Sequence, residues 1–270
     1  MKYKYIWFIL FAIIVLIVVY HFLSYSHAEN FENDKNIYFI TFSGGGQNFY
    51  DAGNRLINQA KNLNLFNKTI LYTDESLKKD IEFWNQHSTF IENNKRGYGY
   101  WLWKSYIIKK TMETMNDGDI LLYLDCGCEI DIRKKKEIKK KIELVKSEII
   151  IGTHTPFIEK EWSKMDLIKK MNMLDDAYLN SNQRQAGASL FLICDKTRNI
   201  VNQWYELSCD YHNINDAPST TPNFNEFKEH RHDQSVFSLL TKKNNLYSKY
   251  SLYDCIEYSR NISGVSKLNN

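Results

Sequence analysis

Short apolar runs and amphipathic stretches alternate along residues 37–258 of this 270-residue chain. The apolar runs predict β-strands at Ile37–Phe42, Thr69–Tyr72, Ser88–Ile91, Ile120–Leu124, Glu148–Gly152 and Ala188–Cys194. Helical spacing of apolar residues predicts helices over Glu75–Asn85, Leu102–Met115, Arg133–Ser147, Thr197–Cys209 and Asp233–Thr241, and a further helix after Gly46. This alternation predicts an α/β fold with a mostly parallel central sheet flanked by helices.

An almost unbroken apolar run without charged residues covers residues 6–23. Its roughly 18 residues would span about 27 Å as a helix, which is enough to cross a bilayer. Lysines precede the run and acidic residues follow it, so the positive-inside rule places the N-terminus in the cytosol. We therefore expect a single-pass type II membrane protein. A cleaved signal peptide is the alternative, although its apolar region would normally be shorter.

The distribution of apolar and polar residues divides the chain into four parts. We expect residues 1–24 to form a cytosolic tip and a transmembrane signal anchor, which contacts the lipid bilayer through residues 6–23. Residues 25–36 are polar and form a linker, and residues 37–258 form the globular domain on the luminal (Golgi- or ER-like) or extracytoplasmic side. Residues 259–270 are expected to form a disordered tail.

Charge and cysteine content exclude two classes of function. The net charge of +3 is too small to indicate a nucleic-acid-binding protein, so no nucleic acid is expected as a partner. The chain has five cysteines, and the spacing of Cys126 and Cys128 is too short for a usual zinc knuckle without a second pair. Small buried residues beside a site are the preferred interpretation of this pair.

The apolar strand Ile120–Leu124 ends in the acidic turn Asp125-Cys-Gly127. In open α/β sheets, ligands bind just beyond the carboxyl ends of strands. A carboxylate at this point, with a glycine that lets a ligand approach the backbone, suits a metal-bound diphosphate. The alternative is a polar turn that only ends a core strand.

Two further motifs combine charged side chains with aromatic or imidazole side chains. In Arg96-Gly-Tyr-Gly-Tyr-Trp-Leu-Trp-Lys104, aromatic planes can stack on a base or sugar, and the two cations can neutralise phosphate. A structural turn rich in core aromatics is the alternative. In Glu229-His-Arg-His-Asp-Gln234, His232 could bind a metal and Arg231 a phosphate. A helix N-cap with exposed polar residues is the alternative there.

Taken together, these motifs resemble a family of small glycosyltransferases with the GT-A, nucleotide-diphospho-sugar transferase fold. Members occur in bacterial polysaccharide loci, large DNA viruses and some eukaryotes. The similarity runs from about Ile37 to Tyr253. Its markers are the segments 96–104 and 123–127, Gln185-Ala-Gly187 before a strand, and Glu-His-Arg-His-Asp-Gln-Ser at 229–235.

The resemblance implies a GT-A-type sandwich and a membrane-anchored hexosyltransferase or related enzyme. Such an enzyme moves a sugar from a UDP- or GDP-sugar donor to a glycan or another hydroxyl acceptor, with help from a divalent metal ion, in the first place Mn²⁺. The donor-binding residues that it implies are Thr73, Asp74, Arg96, Tyr98, Trp101, Lys104, Gly127, Gln185, Gly187 and Arg231. A catalytically inactive module that binds a glycan or a nucleotide sugar on the same fold is the alternative.

The resemblance also implies catalytic roles for Asp125 and Asp233, with Asp233 as the candidate base of an inverting enzyme; a retaining course is equally open. Asp125 occupies the place of the first carboxylate of the family fold's Asp-x-Asp motif, and Gly127 replaces the second. The metal ligands would then be Asp125, His232 and Glu129, with Asp131 as a further candidate. Alternatively, the ion is held weakly through Asp125 and the diphosphate, and the replacement of the second carboxylate leaves the metal requirement open.

Overall fold

The computed structural model describes residues 13–20, 35–246 and 248–268. The chain divides into two compact units, Met1–Lys35 and Asn36–Asn270. In the first unit, residues 13–20 are helical and are labelled helix α1. The rest of the predicted anchor at 6–23 lies outside the described residues, and no helix among those described is long and apolar enough to cross a membrane.

Seven strands lie within the described part of the second unit. They are β1 (Ile37–Ser43), β2 (Lys68–Thr73), β3 (Ile120–Leu124), β4 (Glu129–Ile130), β5 (Ile150–Ile158), β6 (Asn182–Leu192) and β7 (Ile256–Glu257). Five of them form one sheet in the order β2-β1-β3-β6-β5. β1 pairs in parallel with β2 and β3, whereas β6 pairs antiparallel with both β3 and β5. Four of the five strands therefore run in one direction, as the predicted α/β fold requires.

Helices cover both faces of this sheet. They are α2 (Gln47–Asn62), α3 (Asp74–Lys79), α4 (Ile81–Asn93), α5 (Gly97–Tyr100), α6 (Leu102–Met112), α7 (Lys135–Glu148), α8 (Glu159–Trp162), α9 (Met165–Lys170), α10 (Asp176–Leu179), α11 (Asp195–Cys209) and α12 (His232–Lys243). Strand β3 is buried on both faces, because Leu121 and Tyr123 belong to one apolar cluster and Leu122 and Leu124 to the other. The prediction of a buried central strand before Asp125 is confirmed.

The predicted strand Ser88–Ile91 is wrong, because this segment lies inside helix α4. The buried residues of α4 are Phe83, His87 and Ile91, which follow one another at intervals of four and share one helix face. Asp80 caps the helix, since its side chain accepts a hydrogen bond from the Phe83 amide. The Phe90-Ile91 pair that suggested a strand thus belongs to a helical pattern that begins at Ile81.

The C-terminal segment differs from the predicted disordered tail. Strand β7 pairs antiparallel with β4 and leads into residues 258–268, which we call the C-terminal strap. The guanidinium of Arg55 donates hydrogen bonds to the strap carbonyl oxygens of Asn261 (2.9 Å) and Ser263 (2.6 Å). These bonds hold the strap across the turn that follows β3, because the same guanidinium also bonds the carbonyl oxygens of Cys126 and Cys128.

Candidate functional site

A pocket of about 540 Å³ opens at the carboxyl ends of β1 and β3. Its walls come from the turns after these two strands, from the middle of β6, from the α5 region, from the start of α12 and from the C-terminal strap. Its size is typical of a site for a small organic ligand. Its position matches the expectation that ligands bind beyond the carboxyl ends of parallel strands.

Asp125 follows β3 and places its carboxylate at the floor of this pocket. Its Oδ1 accepts a hydrogen bond from the Tyr123 hydroxyl (2.5 Å) and lies 3.3 Å from Nζ of Lys104. Gly187 on the paired strand β6 makes room for the carboxylate, because a Cβ at position 187 would lie 2.5 Å from Oδ2 of Asp125. The Gln185-Ala-Gly187 marker therefore has a steric reason in this structure.

Asp233 lies in the first turn of α12 and is almost wholly buried, yet it lines the same pocket. Burial raises the pKa of Asp233 to about 6, the Asp125 carboxylate adds to the shift, and Lys104 opposes it. A carboxylate with a pKa in this range can accept a proton near neutral pH.

Lys104 lies between these two carboxylates and is 3% exposed. Its Nζ is 3.3 Å from Oδ1 of Asp125 and 3.1 Å from Oδ2 of Asp233. Burial would lower the pKa of Lys104, but the two carboxylates outweigh burial and raise it. The side chain therefore stays protonated at neutral pH.

The segment 97–101 forms one turn of left-handed helix beside the pocket. All five residues have positive φ, at 59°, 54°, 84°, 51° and 60° in chain order. The amides of Tyr100 and Trp101 donate to the carbonyl oxygens of Arg96 and Gly97, at 2.8 and 3.1 Å. This conformation costs an L-residue other than glycine roughly 1–2 kcal/mol, and such strain concentrates at functional sites.

The two glycines of this turn are sterically required. A Cβ at Gly97 would lie 2.4 Å from the Trp101 ring, and one at Gly99 would lie 2.7 Å from the Ile91 side chain. The turn brings Tyr98 and Trp101 to the pocket wall. The alternating glycines and aromatics in the sequence thus encode a left-handed turn that presents rings to the pocket.

His232 is buried at the start of α12 and also has a positive φ, of 55°. Burial, together with nearby cations of which Arg96 has the largest effect, lowers the pKa of His232 to about 3, so its imidazole is neutral. Its Nε2 lies 3.1 Å from Oδ1 of Asp216, and the Arg96 guanidinium lies 3.2 Å from the same carboxylate. Asp216 does not itself line the pocket but contacts these two residues that do, and no pattern in the sequence indicated it.

The loop that carries Asp216 is held by a buried cation. The Nζ of Lys164 donates hydrogen bonds to the carbonyl oxygens of Asn215 (3.1 Å) and Ala217 (3.0 Å), on either side of Asp216. Lys164 is 2% exposed. No local sequence signal relates Asp216 to Arg96, because 120 residues separate them.

Besides Arg96, two guanidinium groups line the pocket, one from the start of α12 and one from the C-terminal strap. Arg231 packs over the rings of Phe157 and Trp162, with its Cζ 4.5 and 4.4 Å from their centroids. The Nε of Arg231 is buried and has no hydrogen-bond partner among the described residues. Arg260 reaches the pocket from the C-terminal strap and is exposed. Both groups can bind an anion in the pocket.

Glu129 does not line the pocket, so the predicted ligand role does not fit its placement. It is fully buried beneath the strap, where it accepts hydrogen bonds from Ser259 Oγ (3.1 Å), Asn261 Nδ2 (3.0 Å) and the Lys267 amide (3.1 Å). Burial would raise its pKa, but hydrogen bonds, in the first place from Ser266 and Asn261, outweigh burial and lower the pKa to about 2. Glu129 anchors the strap.

Gly127 lies against the C-terminal strap, whereas the sequence suggested that it lets a ligand approach the backbone. A Cβ at this position would lie 3.3 Å from the Arg260 backbone, and the Gly127 carbonyl oxygen accepts a hydrogen bond from the Asn261 amide (2.9 Å). Gly127 lines the pocket, but its missing side chain chiefly accommodates the strap.

The predicted donor-binding residues largely come together. Those that line the pocket are Arg96, Tyr98, Trp101, Lys104, Gly127, Gln185, Gly187 and Arg231. Thr73 and Asp74 lie at the end of β2, where Thr73 caps α3 and Asp74 accepts a hydrogen bond from the Tyr50 hydroxyl. They are not part of the pocket lining.

The predicted metal ligands do not form a cation site. Among the described residues, no group of three His, Cys, Asp or Glu side chains is arranged to hold a metal ion. Lys104 lies between Asp125 and Asp233, His232 lies against Asp216, and Glu129 is sealed under the strap. The residues present therefore do not fit a resident divalent ion.

Two solved structures align with this chain, whereas comparisons of its sequence found no match. No family model matches the chain, and no curated protein matches its sequence. Mouse xyloside xylosyltransferase 1, in its apo form, aligns with a TM-score of 0.38 and 10% identity over 78% of this chain and 83% of that chain. A glycosyltransferase involved in the glycosylation of the major capsid of PBCV-1 aligns with a TM-score of 0.35 and 14% identity, over 65% of this chain and 67% of that chain. Both of those proteins are glycosyltransferases.

Proposed function

We propose that this chain is a glycosyltransferase, which moves a sugar from a nucleotide-diphosphate donor to the hydroxyl group of an acceptor. One observation carries the proposal. A single pocket combines the Asp125 carboxylate, the buried Asp233 carboxylate with its raised pKa, and the guanidinium groups of Arg231 and Arg260. Sugar transfer from such a donor needs a proton acceptor and cationic groups for the leaving diphosphate.

The diphosphate belongs at Arg231 and Arg260. Guanidinium groups bind phosphate oxygens through paired N–H donors, and both arginine side chains line the pocket. Tyr98 and Trp101 line the same pocket and offer aromatic faces for a base or a sugar ring. This arrangement supports a donor of the nucleotide-sugar class.

Asp233 is the proposed base for the acceptor hydroxyl. During transfer, the bond between the anomeric carbon and the diphosphate oxygen breaks, and its electron pair leaves with the diphosphate. The acceptor oxygen forms the new bond to the anomeric carbon and gives its proton to the Asp233 carboxylate. Arg231 and Arg260 stabilise the charge that develops on the leaving group. The Asp125 carboxylate orients Lys104, which in turn holds Asp233.

The finer expectations from the sequence belong to the same proposal. They are a UDP- or GDP-sugar as donor, a glycan acceptor, an N-terminal membrane anchor and a luminal or extracytoplasmic location for the domain. The anchor is testable by carbonate extraction of membranes that contain the full chain. Release of the chain into the soluble fraction would count against it.

The function is tested by incubating the purified chain with a panel of UDP- and GDP-sugars and acceptor glycans, and by measuring the released nucleoside diphosphate. Asp125→Asn and Asp233→Asn should each lower the rate by at least about 100-fold. Asp195→Asn is the matched control, because Asp195 is exposed at the opposite end of β6. Saturable binding of a nucleotide sugar without any turnover would instead favour the inactive binding module.

A further inference from the structure

The pocket contains an enclosed cation site that the chain fills with its own lysine. Lys104 Nζ lies 3.3 Å from an oxygen of Asp125 and 3.1 Å from an oxygen of Asp233. It also lies within 6.0 Å of the ring centroids of Trp101, Trp103 and Tyr123. Carboxylates and aromatic faces are the groups that stabilise a desolvated ammonium ion.

The position of this ammonium group is fixed by the backbone before it. Lys104 lies in the first turn of α6, and its amide donates to the Trp101 carbonyl oxygen (2.9 Å). The left-handed turn at 97–101 sets the direction in which α6 begins. The Trp103 Nε1 donates to the Gly97 carbonyl oxygen (3.0 Å), which joins the start of α6 to this turn. The lysine is thus built into the site rather than placed there by a flexible loop.

A divalent ion held by the chain alone would need both of these carboxylates, because no third acidic, histidine or cysteine side chain among the described residues joins them in a metal site. Mg²⁺ and Ca²⁺ bind oxygen ligands at about 2.0–2.6 Å, in sets of six or more ligands. An ion at the facing oxygens of Asp125 and Asp233 would therefore overlap the Lys104 ammonium group. The remaining predicted ligands cannot replace these oxygens, because His232 faces Asp216 and Glu129 lies under the strap.

We propose that the Lys104 ammonium takes the place of a divalent metal ion in this site, so that donor binding and sugar transfer proceed without one. This inference rests on the proposed function. The charge on the leaving diphosphate is then met by Lys104, Arg231 and Arg260, all of which line the pocket. Bond breaking and proton transfer remain as described above, with the proton going to Asp233 and no co-reactant required.

The first test measures the binding of Mn²⁺ alone to the full-length chain, by electron paramagnetic resonance of the free ion. The wild-type protein should bind Mn²⁺ no more tightly than about 1 mM, the range of weak carboxylate sites. Lys104→Met uncovers two carboxylates and should strengthen binding at least tenfold, or about 1.4 kcal/mol. The double variant Lys104→Met/Asp125→Asn should lose that gain.

Lys95→Met is the matched control, because Lys95 lines the pocket but forms no ion pair with Asp125 or Asp233. It removes the same charge from the pocket and should not strengthen Mn²⁺ binding. Micromolar binding of Mn²⁺ to the wild-type chain that is abolished by Asp125→Asn would overturn the proposal. This wild-type result decides the matter even if Lys104→Met does not fold.

The second test measures nucleotide release in excess EDTA and then with added Mn²⁺. The rate in EDTA should stay within about twofold of the rate with Mn²⁺, since ionic side chains supply the charge. A rate that is lost in EDTA and restored by Mn²⁺ would refute metal independence while supporting the transferase. If no donor is turned over in either condition, the proposed function fails, and the Mn²⁺ binding experiment still decides the role of Lys104.

Discussion

The steric dependence of Asp125 on Gly187 gives a prediction that can be worked out in some detail. In Gly187→Ala, the new Cβ would lie 2.5 Å from Oδ2 and 3.2 Å from Cγ of Asp125. Non-bonded carbon atoms have their optimal contact at about 3.5–4.0 Å, so the carboxylate has to move by roughly 1 Å. The backbone cannot absorb this shift easily, because the Asp125 amide is hydrogen-bonded to the Gly187 carbonyl oxygen (2.8 Å) within the β3–β6 pairing.

Two measurable effects follow from this displacement. Asp125 loses its contacts with the Tyr123 hydroxyl (2.5 Å) and with Lys104 (3.3 Å), and overpacking of this kind costs typically about 1–3 kcal/mol of stability. Lys104, and through it Asp233, depends on the position of Asp125, and a misplacement of about 1 Å lowers the rate by roughly 100-fold even when its cause lies away from the reacting atoms. We therefore expect kcat/KM of Gly187→Ala to fall by about two orders of magnitude while the protein still folds.

The assay is nucleotide release under donor-limiting conditions, combined with urea unfolding of the same samples. Gly152→Ala on the adjacent strand β5 is the matched control, because its Cβ would meet the Ala188 carbonyl oxygen at 3.4 Å and Arg184 at 3.5 Å, which are ordinary contacts. A Gly187→Ala variant with the wild-type rate would refute the steric reasoning. Equal loss of rate in both glycine variants would assign the effect to the sheet rather than to Asp125.

Three further outcomes are expected. First, the rate should rise with pH and reach half of its maximum near pH 6, because Asp233 must be deprotonated to act as a base and its pKa is about 6; a pH-independent rate between pH 5 and 8 would contradict this role. Second, Glu129→Gln should cost roughly 3 kcal/mol of stability at pH 7, since the folded-state pKa of Glu129, about 2, lies below the ordinary 4.5. This contribution to stability is complete above pH 4.5 and is lost as the pH falls towards 2. Urea unfolding should therefore show a smaller difference in stability between wild type and variant at pH 3 than at pH 7. Third, Gly99→Ala should destabilise the protein by at least about 2 kcal/mol, because it adds left-handed strain to a clash with Ile91; unchanged thermal unfolding would show that the turn at 97–101 adopts another conformation.

The sequence carried clear information about the centre of the sheet. Strand β3 could be recognised because its five apolar residues lie between two glycine-containing turns, Asp117-Gly-Asp119 and Asp125-Cys-Gly127, and this length suits a buried strand better than a helix. The pocket position beyond Asp125 followed from the general behaviour of parallel sheets. Local patterns were insufficient at Ser88–Ile91, because a run of four residues cannot be distinguished from part of a helix by its periodicity.

The sequence also determined which chemical groups are available, and only the tertiary structure decided how they are paired. Lys104 is 21 residues from Asp125 and 129 from Asp233, so its place between them depends on how α6, β3 and α12 pack together. Glu129 is bound by strap residues 130 or more positions away, which turned an expected metal ligand into a structural anchor. Such pairings are set by the burial free energy of the whole fold and by the need to satisfy buried charges, and neither can be derived from residues that are neighbours in the chain.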